Sequence, residues 1–243
     1  YGCLVGSEMC IRDRNKIDFA EINFRRKDTL LSFAYGKNPS SNFLDTSEEF
    51  LIHQSFYDKE AFLNPWLNLV EEGYSLGFSN RLNELYFDLN IFSGFKRSED
   101  WFLKPSYYFQ KTKNESKGLN LTLRNNILSK FMVGYTLGFL ETNNGLFDNR
   151  FNGAFSIIED TKSIFSSISL KSSLAKELSF IGSINYSNSS NINSDKIIKN
   201  ISGLEEFSFD FALIKKSLFY KNDFLSFRIK QDPRIEKARV SLN

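Results

Sequence analysis

The chain is short of cysteine: Cys3 and Cys10 are the only two, and both fall within the first fourteen of its 243 residues. From Asn15 onward no thiol remains, which removes a Cys-type zinc site, a CxxC redox pair and a disulfide framework. His53 is the only histidine, so no second imidazole exists to complete a metal set. There are only four prolines, which leaves room for many strands. No run approaches the ~18 consecutive apolar residues of a membrane helix. The formal charge of +2 gives no broad basic footprint, so nucleic acid is not an expected partner. A glycine-rich phosphate loop is absent as well, and no cofactor is expected.

What is present is aromatic and alternating. Aromatic residues reach 16%, with 26 phenylalanines, beside 25% charged residues, and mean hydropathy is slightly negative. A β-barrel hides its hydrophobicity at every second position in this way. In residues 131–139, Phe131, Val133, Tyr135, Leu137 and Phe139 alternate with Met132, Gly134, Thr136 and Gly138. The stretch is about as long as the ~9–11 tilted residues that cross a bilayer. The same rhythm recurs in Leu31, Phe33 and Tyr35, in Tyr74, Leu76 and Phe78, and in Leu119, Leu121 and Leu123. It continues through Ile164, Ile168 and Leu170, through Leu178, Phe180, Ile184 and Tyr186, and through Leu225, Phe227 and Ile229. With lipid outside, the expected lipid-facing residues are Leu85, Phe87, Leu89, Phe131, Val133, Tyr135, Leu137, Phe139, Phe207, Phe209 and Phe211. The polar residues between them, Asp88, Asn90, Thr122, Arg124, Thr136, Asp210 and Arg228, are then expected to face a wet lumen.

Outer-membrane barrels have short turns at one rim and long loops at the other. The tight links expected here are 80–83, 126–130, 172–177 and 215–223, and the long ones 37–71, 95–117, 141–160 and 188–204. Long and short alternate, provided that Trp101–Gln110 is a strand extension or small hairpin within one outer loop. Trp101, Tyr107, Tyr108, Tyr186 and Tyr220 fall near strand ends, where an interfacial aromatic girdle would lie. A soluble β-sandwich or a β-solenoid also alternates, and is the bland alternative.

Catalytic signals are sparse. Gly73-Tyr74-Ser75-Leu76-Gly77 matches the G-x-S-x-G elbow, but it sits inside an alternating strand and no histidine follows it. His53, in the polar stretch 47–55, reads as a solvated loop residue; as a catalytic base it would make the protein an outer-membrane lipase. The charged run 111–117, the Asn/Ser-rich segment 187–200 and the residues Glu141, Asp148 and Arg150 read as solvated loops. Asn-x-Ser/Thr sites at Asn114, Asn120, Asn188 and Asn200 are what chance supplies in an Asn-rich chain.

Several landmarks occur in order: Asn64-Pro65-Trp66-Leu67, Phe92-Ser93-Gly94, the 119–140 hairpin ending at Glu141, Gly153-Ala154-Phe155, and the stretch 218–235. In that last stretch Leu218-Phe219, Asp223, Phe227, Gln231 and Arg234-Ile235 follow a Leu-Phe…Asp…Gly-Phe…Gln-Pro-Leu-Arg-Val pattern, with Ser226 in place of the glycine and Asp232-Pro233 in place of Pro-Leu. From about residue 28 to its end the chain thus resembles the C-terminal β-barrel of autotransporter-like proteins whose N-terminal part is a subtilisin-type serine peptidase. The resemblance implies an outer-membrane anchor and translocator in a diderm bacterium, with membrane lipid, the barrel-assembly machinery and a covalently linked passenger as partners. It places the peptidase triad upstream, so no catalytic residue is expected in this segment.

The opening Tyr1–Arg14 resembles a translated sequencing-adapter tail of the kind found at the ends of metagenomic reading frames, and is set apart from the fold. The expected fold class is all-β, an antiparallel up-and-down transmembrane β-barrel, truncated and able to remain an open curled sheet. The expected layout is an artefactual leader at 1–14, a linker or remnant strand at 15–27, and a barrel domain at 28–243 that is incomplete at its C-terminus. The alternative of another class is a stand-alone porin or ligand-carrying barrel, in which Asp88, Asn90, Arg124 and Asp210 would tune passage.

Overall fold

The computed structural model describes residues 19–37, 66, 70, 72–98, 112–127, 131–143, 160–190, 192–193, 198–217 and 223–242. They form the strands β1 (Phe19–Arg26), β2 (Thr29–Lys37), β3 (Glu72–Leu82), β4 (Leu85–Ser98), β5 (Thr112–Ile127), β6 (Phe131–Thr142), β7 (Thr161–Ala175), β8 (Leu178–Ser189), β9 (Ile192–Asn193), β10 (Ile198–Lys216) and β11 (Phe224–Leu242). One sheet contains them all, in the order β1 to β8, then β10 and β11, with the two-residue β9 paired to β10 beside that path. Every pairing is antiparallel, and β1 does not pair with β11. The chain is therefore an all-β, up-and-down meander whose sheet is not closed.

Tight turns join the strands at one rim. Lys27, Asn83 and Glu177 take positive φ of 49°, 59° and 63° in the β1–β2, β3–β4 and β7–β8 turns, the left-handed geometry that a two-residue hairpin turn demands. At Asn83 a side chain that tolerates this region supplies it. Adjacent turns are tied together by the Arg81 N–H, which donates to the Asp28 carbonyl at 2.9 Å. The opposite rim carries the long connections, shorter in two cases than the apolar pattern suggests. β4 and β5 continue in register out to Ser98 and Thr112, and β10 begins at Ile198 inside the span expected to be loop.

The sheet has two unlike faces. Along β6 the apolar odd-numbered residues are exposed or half-buried, while Met132, Gly134, Gly138 and Leu140 are buried. Among the described residues no second sheet or helical layer covers the buried face. A single sheet buries one side by curling around it, and that concave side is where the inner cluster of Trp66, Val70, Phe92, Leu140 and Phe165 sits.

Candidate functional site

The concave face is built in ranks, because register carries each inward residue to a neighbour at the same height. One rank runs Ser79, Asp88, Thr122, Thr136, Ser167, Asn185 and Ser208 across β3 to β10. Ser79 Oγ donates to Asp88 Oδ1 at 2.6 Å, Thr122 and Thr136 share a hydrogen bond at 2.9 Å, and Asn185 Nδ2 donates to Ser208 Oγ at 3.2 Å. From the next height Arg124 pairs with Asp88, and both are buried. Further round, the Arg228 guanidinium donates to Asp210, through Nε at 2.8 Å and through a second nitrogen. Asp210 is buried, whereas Arg228 on the edge strand is exposed as a residue. One height towards the long connections, Asn90 and Asn120 stand opposite each other, fully buried and without hydrogen-bond partners on their amides.

The opposite face carries the apolar ranks. Phe131, Tyr135 and Leu137 are exposed, as are Leu31, Phe33, Tyr35, Leu76, Ile91, Ile168 and Ile184 on neighbouring strands. Leu85 is exposed too, and Phe87, Leu89, Val133, Phe139, Phe207, Phe209 and Phe211 are half-buried on that face. Their partial cover comes from one another: Phe209 stacks on Phe211 and Phe211 on Phe180, with centroids 5.5 and 6.1 Å apart, and Phe78 meets Phe87 edge-on. So broad an apolar surface is rare on a water-soluble monomer.

Starting in the rank of Asn90 and Asn120 and continuing into the next lies an aromatic knot that the sequence pattern does not reveal. Trp66 stacks on Phe165 of β7 at 5.6 Å and donates its indole N–H to Glu206 Oε2 of β10 at 3.2 Å. Ser187 Oγ of β8 donates to the same carboxylate oxygen at 3.3 Å. Phe165 lies flat over Gly138, Phe92 over Gly118, and Val70 packs against Gly94. Trp66 is legible in the sequence only as part of a family landmark, since its partners lie 99 and 140 positions away.

The Gly73–Gly77 pentapeptide lies within β3, with Ser75 buried in mid-strand, so the strained strand-to-helix turn of a nucleophile elbow is not formed. His53, Trp101, Tyr107, Tyr108, Asp148, Arg150 and Tyr220 lie outside the described residues. Among the described residues no group of three or more His, Cys, Asp or Glu gathers as a metal set, and no helix is long and apolar enough to cross a membrane.

No protein-family model and no curated protein matches the sequence. Among solved structures, the chain is similar to OmpT, an outer membrane protein of Vibrio cholerae, folded in vitro. The two superpose with a TM-score of 0.52 at 9% sequence identity, over 92% of this chain and 59% of that one. The chain thus spans well under two thirds of that protein's length and has the fold of an outer-membrane β-barrel.

Proposed function

We propose that this chain is the membrane wall of an outer-membrane β-barrel and serves as the anchor and translocator of a larger autotransporter-like protein, whose passenger is a subtilisin-type serine peptidase. The observation that carries the membrane role is the inverted sheet, with the apolar ranks on the exposed side and Asp88, Asn90, Arg124 and Asp210 on the buried one. In water this arrangement would be costly, whereas in lipid it is the stable one. Support for the passenger comes from the ordered landmarks between Asn64 and Ile235. The buried inner ranks favour an anchor over a freely open porin, since a wide aqueous bore would leave those side chains in contact with solvent.

The test is export of the chain behind a signal peptide in a diderm bacterium, followed by fractionation and protease treatment of intact cells. Recovery in the outer membrane, with strands shielded and the long connections cleaved, is expected. A freely soluble product would overturn the reading. For the passenger, the reading frame upstream of Arg14 in the intact gene is expected to encode a subtilisin-like domain, and a signal peptide directly before the barrel would overturn that part.

A further inference from the structure

A wall that spans a membrane and lines its concave side with Ser, Thr, Asn and paired charges leaks ions unless some height of the interior is dry. Below the knot, two charge pairs are compensated within the ranks, Asp88 with Arg124 and Asp210 with Arg228. Such pairs carry little net field and discriminate little between ions of opposite sign. The apolar cluster is different in kind. Trp66, Val70, Phe92, Leu140 and Phe165 are each at most 1% exposed, and they bring β4, β6 and β7 together over two adjacent ranks, Phe92 with Leu140 in one and Phe165 with Asn90 and Asn120 in the other. Trp66 extends that contact to β10 through Glu206.

We propose that this cluster is a septum that seals the interior against ions, with Trp66 at its centre, and that Glu206 is the charge which sets ion preference once the indole is removed. The proposal rests on the reading of the chain as a membrane wall. Where closely packed apolar side chains fill the interior, a hydrated ion must shed water to enter, and that cost is the barrier. Among the described residues Trp66 is the one side chain that both stacks on Phe165 and bonds across to β10, so its loss opens the packing and withdraws the N–H from Glu206. Among the described residues the carboxylate then keeps the Ser187 hydroxyl as its hydrogen-bond partner and faces the gap. A single carboxylate lining that gap attracts cations and repels anions.

The experiment is reconstitution of the full 243-residue chain in planar bilayers under a KCl gradient, with insertion checked separately by protease shielding in vesicles of the same lipid. The unaltered chain is expected to insert and stay electrically silent. Trp66→Ala is expected to conduct, with a reversal potential shifted towards cations, and Trp66→Phe, which keeps the stack on Phe165, is expected to remain silent. Adding Glu206→Gln to Trp66→Ala is expected to preserve conduction and return the reversal potential close to zero. A chain that fails to insert sinks the membrane reading itself. An inserted chain that conducts without any substitution, a silent Trp66→Ala, or a conducting Trp66→Phe overturns the septum. A cation preference that survives Glu206→Gln overturns the role of Glu206, and a merely unfolded, leaky insert would not respond to that change.

Discussion

Asp88 and Arg124 show how a residue on the concave face is held. Asp88 is fully buried and receives both the Arg124 guanidinium and the Ser79 hydroxyl, so its charge is compensated inside the fold. Breaking such a pair from one side leaves the other charge buried and alone, at a cost of about 3–5 kcal/mol, while removing both charges costs less. Arg124→Ala is therefore expected to lower stability by that amount, and Asp88→Asn combined with Arg124→Gln to recover a large part of it, as read by urea unfolding in detergent micelles. The inner glycines give a second contrast. A Cβ at residue 138 would come within 2.7 Å of three Phe165 ring carbons, and that ring is stacked with Trp66, whereas at residue 134 the main obstruction is the rotatable Ser169 hydroxyl. Gly138→Ala is expected to cost about 1–3 kcal/mol through overpacking, and Gly134→Ala to cost clearly less, because the Ser169 hydroxyl that meets the new methyl can rotate away. Equal losses at the two positions would contradict the packing described.

Among the elements, β6 offers the sharpest test of what surrounds the sheet. Leu137 is 44% exposed on the apolar face, near the middle of the strand. If water covers that face, Leu137→Arg changes stability by no more than about 0.5 kcal/mol. If lipid does, arginine near the bilayer midplane costs about 2–4 kcal/mol. The larger value is expected, measured by reversible unfolding from lipid vesicles, and the smaller one would favour a soluble sheet. The two-residue rhythm that made β6 legible in the sequence is carried by one physical demand, an apolar environment on one side only. Where that demand lapses, the strands continue unseen. Lys96, Arg97, Lys113 and Lys117 extend β4 and β5 beyond the apolar band, so nothing in their pattern separates strand from loop. The start of β10 is masked in another way. Gly203 takes a φ of 61° and the register against β11 shifts between Ser202 and Glu205, so bulges erase the alternation there. Trp66 was legible least of all, because a contact between distant strands leaves no local signature.

At the scale of the whole molecule the open edges set the behaviour. Ten strands lie on the path from β1 to β11, so the edge strands run antiparallel to one another, and among the described residues neither is paired on its outer side. Both are exposed along almost their whole length, unlike the strands between them. β11 carries partial protection: it is dense in charge from Arg228 to Arg239 and contains Pro233, features that discourage edge pairing in water. Such protection weakens in a membrane, where each unsatisfied backbone group costs several kcal/mol and irregular edges are not tolerated. The 243-residue chain is therefore expected to satisfy its edges by joining copies of itself once in detergent, with β1 and β11 as the seams. Hydrogen exchange followed by mass spectrometry reads this directly. Peptides from β1 and β11 should gain protection as protein concentration rises, while β5 to β7, paired on both sides, stay protected throughout. Protection of β1 and β11 that is complete at the lowest concentration would mean that the sheet closes on itself, β1 against β11, and would remove self-association as the way its edges are satisfied.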